Sequence, residues 1–218
     1  MLRVAGIGAG RHAKVVVEIL RLAGQYEIVG LLDAGPEIRG RDILGIPVLG
    51  DDKLLEDLYN QGIRNLFFGL GGHEHATTRR RLFARASRQG WHFVSAIHPR
   101  SIVSDCAEFG EGVTVMAAAV INPCARLGKD VTVNTGAIVE HDCVVEDHSH
   151  IAPAAQLAGS VHVGEATHVG IGATVIDGIR IGNNVLVGAG AVVTKDVPDG
   201  VVIAGVPARV LGERENHE

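Results

Sequence analysis

From Ile97 onward the chain carries a large apolar residue at every sixth position. The series runs Ile97, Val103, Phe109, Val115, Ile121, Leu127, Val133, Val139, Val145, Ile151, Leu157, Val163, Val169, Val175, Ile181, Val187 and Val193, with no insertion to break the phase. Six is too long for the alternation of a simple strand and does not fit the 3.6-residue helical period. The fourth residue after most anchors is small or β-branched (Ala107, Val113, Ala119, Ala125, Val131, Ala137, Cys143), and the residue directly after the anchor is often glycine (Gly110, Gly128, Gly164, Gly170, Gly182, Gly188). This pattern predicts short strands joined by turns, three per triangular coil, with anchors pointing inward and stacking on the coils above and below. Glycine directly after the anchor is expected to serve the turn.

Residues 1–96 follow a different rhythm. Leu2–Ile7 reads as a buried strand, Gly8-Ala9-Gly10-Arg11-His12-Ala13 as a turn, Lys14–Leu22 as a helix and Glu27–Leu32 as a second strand ending at Asp33. Strand, glycine turn, helix, strand and acid is the order of a nucleotide-binding βαβ unit, in which backbone N–H groups at the helix start face a phosphate. A third strand over Asn65–Leu70, a basic helix over Thr77–Arg88 and a strand over Trp91–Ile97 complete a small sheet. That is about half of a two-lobed dinucleotide fold. It suits a mononucleotide or sugar nucleotide better than NAD. The expected organisation is a Rossmann-like α/β domain over 1–96, a β-helix over 97–212 and a polar tail over 213–218.

Composition narrows the picture. Hydrophobic residues make up 46%, aromatics only 4%, and glycine numbers 29, so small and β-branched side chains are expected to fill the interior. A formal charge of −5 gives no electrostatic ground for nucleic acid as partner. The opening MLRVAGIGAG lacks a signal-peptide pattern, no run is long enough to span a bilayer, and a cytoplasmic location is expected. Cys106, Cys124 and Cys143 lack metal-ligand spacing and read as reduced, buried small residues.

The order of a glycine-turn domain feeding into a hexapeptide helix resembles the bacterial nucleotide-sugar N-acetyltransferases acting on 4-amino-4,6-dideoxyhexoses. The sialic acid O-acetyltransferases are close relatives of that family. The resemblance is carried by Gly8-Ala9-Gly10-Arg11-His12, by Asn134-Thr135-Gly136-Ala137-Ile138-Val139-Glu140-His141-Asp142-Cys143 and by Gly205-Val206-Pro207-Ala208. It implies a left-handed β-helix, a homotrimer with active sites in clefts between subunits, and acetyl-CoA as co-substrate. It also implies a place in surface-polysaccharide or lipopolysaccharide synthesis, and no metal is expected. By the same resemblance His141 is the general base and Asp142 the acid beside it. His150, Gly159, Ile171 and Ala189 then meet acetyl-CoA, while Gly10, Arg11, His12, Asp33, Ala34, Gly71 and Asn134 meet the sugar nucleotide. Arg11 stands where relatives often carry glycine, and Gly72-His73 replaces a more usual polar pair.

The chemistry agrees with those assignments. An amine attacking a thioester must shed a proton, and imidazole titrates in the right range to take it, its basicity raised by a nearby carboxylate. Adjacent strand residues point to opposite faces, so His141 and Asp142 can pair only at a corner or bulge. The Ala158–Gly159 backbone is the candidate oxyanion donor. Lys195 and Arg209 are candidates for the CoA phosphates, and Arg79-Arg80-Arg81 reads as a solvated helix face. His92, His98 and His217 read as exposed or packed side chains; His148, His162 and His168 are expected on coil faces in water. The alternatives are a sugar O-acetyltransferase, a β-helix zinc hydratase using His148, His150, His162 and His168, an NAD-dependent oxidoreductase suggested by the glycine turn, and a non-catalytic scaffold.

Overall fold

The structure, a computed structural model, describes residues 1–71 and 76–214. Gly72, His73 and His217 lie outside the described residues. The chain divides into two compact units, Met1–Pro99 and Arg100–Glu218.

In the first unit β1 (Leu2–Ile7), α1 (Arg11–Ala23) and β2 (Tyr26–Leu32) follow one another as the sequence predicts, but α1 begins three residues early. Arg11 and His12 therefore occupy its first turn. α1 buries Ala13, Val16, Val17, Ile19 and Leu20 on one face and ends at Gly24, whose φ of 69° lets its N–H reach the Arg21 carbonyl. The sequence reading passes over β3 (Asp42–Ile43), β4 (Ile46–Gly50) and α2 (Leu55–Asn60). Then come β5 (Asn65–Phe68), α3 (Ala76–Arg88) and β6 (His92–Phe93). The sheet order is β3-β4-β2-β1-β5-β6, parallel except for the β3–β4 hairpin. β1 lies in its middle and is buried from Val4 to Ile7, which accounts for its unbroken apolar run.

Every aromatic residue except Phe109 falls in this unit, and its core is an aromatic cluster. Phe68 and Phe83 stack on Phe93 with centroids 4.8 and 4.4 Å apart, and Trp91 meets Tyr59 edge-on. The low aromatic fraction is thus an average over two differently built interiors. Small and β-branched side chains dominate only the second. Arg79 is buried and donates to the Leu70 carbonyl, so the Arg79–Arg81 run is not wholly a solvated face.

The second unit is a three-sided parallel β-helix of two-residue strands. Pairing links positions 18 residues apart: Thr114 to Thr132, then His150, His168 and Leu186. Anchors from Val133 to Val163 are at most 1% exposed. Positive φ recurs at every sixth residue: Gly112, Ala118, Cys124, Asp130, Gly136, Asp142, His148, Ala154, Ser160, Ala166, Gly172, Gly178, Asn184 and Gly190. The left-handed conformation thus falls three residues after each anchor, not at the glycine that follows it. That glycine serves a different purpose. A Cβ on Gly110 or Gly164 would stand 2.6 Å from the backbone of the next coil, so the residue is small because stacked backbones touch there. A non-glycine residue at the left-handed position costs roughly 1–2 kcal/mol. The corner offsets this with a rung bond to the coil below, as from Asp142 N–H to Pro123 O (3.1 Å) and His148 N–H to Lys129 O (2.8 Å).

The period shortens at the end. Leu186 pairs with Val202 and Ile181 bridges to Val197, and the antiparallel strand Arg209–Glu213 then lies against Val201–Ala204.

Candidate active site

Val139 is buried as an inward anchor, and the chain turns directly after it. The turn puts Asp142 at a left-handed position (φ 60°), which a short polar side chain tolerates. This corner removes the obstacle that neighbouring residues pose in a strand. The Asp142 Oδ2 atom lies 2.9 Å from Nδ1 of His141, and both side chains stay open to solvent at 60% and 57% exposure. Nδ1 bound to the carboxylate leaves Nε2 as the basic nitrogen. The His141 pKa is raised above its ordinary 6.5, first by the Asp142 hydrogen bond and then by the charges of Asp142, Glu140 and Asp177, against some desolvation.

One coil up, Gly159 makes room for the ring. A Cβ there would stand 2.7 Å from His141 Cε1 and Nε2 and 3.3 Å from Asp177 Oδ1. The imidazole edge therefore lies over the Gly159 backbone, with the Asp177 carboxylate beyond it. The Ala158 N–H is committed to Val175 O and the Ser160 N–H to His141 O, whereas the Gly159 N–H makes no such rung bond. Of the Ala158–Gly159 pair, Gly159 is the candidate donor. The sequence reading did not single out Glu140 or Asp177. Adding 18 to 141 and again to 159 reaches both Gly159 and Asp177, a signal that depends only on the coil length.

Ile171 and Ala189 occupy one corner on successive coils, joined by the Gly190 N–H to Ile171 O bond (2.8 Å), and Ile171 is 60% exposed. This is a different corner from that of His141; within one chain the two sets are not brought together. His150 lies on the face that leads into the Ile171 corner, paired with Thr132 and His168, 3.1 Å from the Asn134 side-chain nitrogen and edge-on to His168. Asn134 Oδ1 in turn accepts from Thr135 N–H (2.8 Å), so Asn134 and His150 form one polar cluster. Three other histidines differ from expectation. His148 is 12% exposed and pairs with buried Asp130, His162 is 25% exposed and pairs with Glu146, and His168 packs against His150. They are half-buried parts of the stack. Two cysteines differ in the opposite sense, since Cys106 and Cys124 are exposed and only Cys143 is buried.

In the first unit Gly8 has φ 97°, and a Cβ there would clash with the Leu70 backbone. α1 has Gly10 as its N-cap, with no side-chain cap and no acid in its first turn. Its first N–H groups thus meet no negative side chain, the arrangement that suits a phosphate. Arg11 is exposed beside them. Asp33 is more committed than the sequence suggests: Oδ2 accepts from Ala9 N–H (2.7 Å) and Oδ1 from Gly35 N–H (2.9 Å). It ties the glycine turn to the loop after β2 and keeps spare lone pairs on each oxygen. Ala34 next to it is exposed, and Gly71 lies against the His12 ring, where a Cβ would meet Cγ at 2.5 Å. Among the described residues no group of three or more His, Cys, Asp or Glu could hold a metal, and no helix is long and apolar enough to cross a membrane.

Comparison with known proteins agrees with the order of the two folds along the chain. The PglD N-terminal domain family matches residues 3–86, and the bacterial transferase hexapeptide family (six repeats) matches residues 160–195. The crystal structure of PerB from Caulobacter crescentus with CoA and GDP-perosamine is 44% identical, with a TM-score of 0.90 over 96% of this chain and 97% of that one. The H141N mutant of the Caulobacter crescentus perosamine N-acetyltransferase, also with CoA and GDP-perosamine, is 42% identical over the same shares, with a TM-score of 0.90. The acetyltransferase domain of PglB from Neisseria gonorrhoeae with acetyl coenzyme A is 35% identical, covering 96% and 99%, with a TM-score of 0.88. No curated protein matches significantly. The chain belongs to the nucleotide-sugar N-acetyltransferases that join a PglD-type α/β domain to a left-handed β-helix of hexapeptide repeats. It is an acetyl-CoA-dependent enzyme that acetylates nucleotide-linked amino sugars.

Proposed function

We propose that this enzyme moves acetyl from acetyl-CoA to the 4-amino group of a GDP-linked 4-amino-4,6-dideoxyhexose, with His141 as general base. The observation that carries this is the corner itself: an imidazole pinned through Nδ1 by Asp142, its free edge held over the Gly159 backbone. Preference for GDP over UDP rests on the perosamine enzyme, solved with GDP-perosamine.

The amine lone pair attacks the thioester carbonyl carbon while Nε2 of His141 takes the proton that nitrogen sheds. Charge builds on the carbonyl oxygen, where the Gly159 N–H donates to it. Collapse expels the CoA sulfur, which recovers the proton from the imidazolium, and neutral enzyme remains. Asp142 holds the tautomer and stabilises the imidazolium without itself taking a proton.

Residues 1–96 hold the nucleotide, with phosphate at Gly10, Arg11 and His12 and the remainder read by Asp33, Ala34 and Gly71. Residues 97–212 carry the chemistry. Ile171, Ala189 and His150 line the pantetheine path, Asn134 beside His150 meets the sugar nucleotide, and Lys195 and Arg209 are the candidates for the CoA phosphates. In this reading the enzyme is a homotrimer, in which the Ile171 corner of a neighbour brings acetyl-CoA to the His141 corner.

The test is thiol release from acetyl-CoA against GDP- and UDP-linked 4-amino sugars and their 4-hydroxy counterparts, with product mass measured. The expected product is one acetyl group heavier and arises only from the amino sugars, fastest with GDP. Turnover of the hydroxy sugars alone would move the enzyme to the O-acetyltransferases.

A further inference from the structure

One coil below Asp142, in the same corner column, stand Cys124 and, 18 residues earlier, Cys106. Their sulfurs are 4.0 Å apart and both residues are exposed. The strands that follow them, Arg126–Leu127 and Glu108–Phe109, pair in register. The cysteine backbones therefore sit on adjacent rungs, about 4.8 Å apart by ordinary strand spacing. That falls inside the range of about 4.4–6.8 Å over which a disulfide spans two Cα atoms without moving the backbone.

The corner is also built unlike the others. From Asp130 to Gly190 the N–H of each left-handed residue donates to a carbonyl 19 residues earlier, as Asp130 to Glu111, Gly136 to Ala117 and Asp142 to Pro123. At Cys124 that N–H points instead to Cys106 Sγ, at 3.3 Å. The Ser104 hydroxyl lies 3.3 Å from the same sulfur. Two donors thus converge on Cys106 Sγ while the second thiol waits beside it.

From this geometry we infer that Cys106 and Cys124 form a peroxide-reactive dithiol site that closes to a reversible intrachain disulfide. The Ser104 hydroxyl, then the Cys124 N–H, hold the Cys106 thiol below its ordinary value, whereas hydrogen bonding to Cys106 and its charge push Cys124 up. Cys106 is the attacking thiolate. Its sulfur attacks one oxygen of hydrogen peroxide and displaces hydroxide, forming sulfenic acid as the O–O bond breaks and the peroxide is reduced. The Cys124 sulfur then attacks that sulfur, its proton leaves with the expelled oxygen as water, and the S–S bond forms. The bridge braces the corner whose Pro123 carbonyl receives the Asp142 N–H, so it stiffens the floor beneath the acetyl-transfer residues.

The experiment treats the reduced full-length protein with stoichiometric hydrogen peroxide, followed by peptide mapping without reductant. The expected result is a Cys106–Cys124 cross-linked peptide that dithiothreitol reverses, with Cys143 unmodified. Cys124→Ser should trap Cys106 as a dimedone-reactive sulfenic acid, and Cys106→Ser should slow peroxide consumption by about tenfold or more. Serine is close in size at these exposed positions, so both variants fold. Sulfinic acid on Cys106 with no cross-link, a disulfide between two chains, or equal rates for wild type and Cys106→Ser would each overturn the assignment.

Discussion

Two histidine–aspartate pairs stand in this β-helix with nearly the same contact, and only one has the setting for catalysis. His141 and Asp142 are neighbours in sequence, meet at 2.9 Å, and are more than half exposed. His148 and Asp130 are 18 residues apart, meet at 3.1 Å across two stacked coils, and are 12% and 1% exposed. Both use Nδ1 and a left-handed corner residue. In the first pair the carboxylate leaves the far edge of the ring over a glycine backbone, open to a substrate. In the second the imidazole packs over a carboxylate that is itself buried, and the pair pins one coil to the next. The same two side chains are thus suited to acid–base chemistry or to coil stacking according to how far they are buried.

The sharpest way to break this contrast is to delete each imidazole in turn. His141→Ala should lower kcat by about two to four orders of magnitude with an unchanged circular dichroism spectrum. Near-normal turnover would remove the distinction. Gly159→Ala comes next. Its methyl group would stand 2.7 Å from His141 Cε1 and Nε2 and push the ring aside. A shift of this kind should cost about a hundredfold in kcat, with thermal unfolding little changed. His148→Ala should do the reverse, leaving turnover near wild type while lowering stability by about 1–3 kcal/mol, read from denaturant unfolding, because a bond to a carboxylate that ties two coils together is lost.

Smaller effects concern pH. A base must be unprotonated to act, so kcat/KM should climb with pH through the raised His141 pKa and level off above it. Asp142→Asn removes the largest cause of that rise, and the acid limb should move to lower pH. Glu140→Gln and Asp177→Asn should move it the same way by less. A limb that stays put, or moves up, would show that another group sets the profile.

The six-residue apolar series located the inward anchors as far as Val193 because inward packing depends on side-chain type, which is written in the chain. Backbone conformation is not written so directly. Glycine at Gly110 or Gly164 reads as a turn former, and only stacked coils reveal that it marks backbone contact instead. The hairpin β3–β4 escaped notice because its strands are short and one contains Pro47. Averaged composition hid the aromatic cluster of the first unit. At the site, His141 and Asp142 stand out through a motif. Gly159 as the cradle of the ring, and Asp177 beyond it, follow only when the coil length is applied to His141. The commitment of Asp33 to Ala9 and Gly35 depends on loop geometry that no residue pattern specifies.

A stack of like rungs has no natural end, since the top of one column offers the same hydrogen-bonding comb as its base. Here the spiral loses two residues in its final turn, and on one side a strand running the opposite way, Arg209–Glu213, lies across it. A parallel rung from another molecule cannot copy itself onto a reversed neighbour. The closing hairpin therefore works as a terminator, keeping a shape suited to endless fibres at the size of a single enzyme.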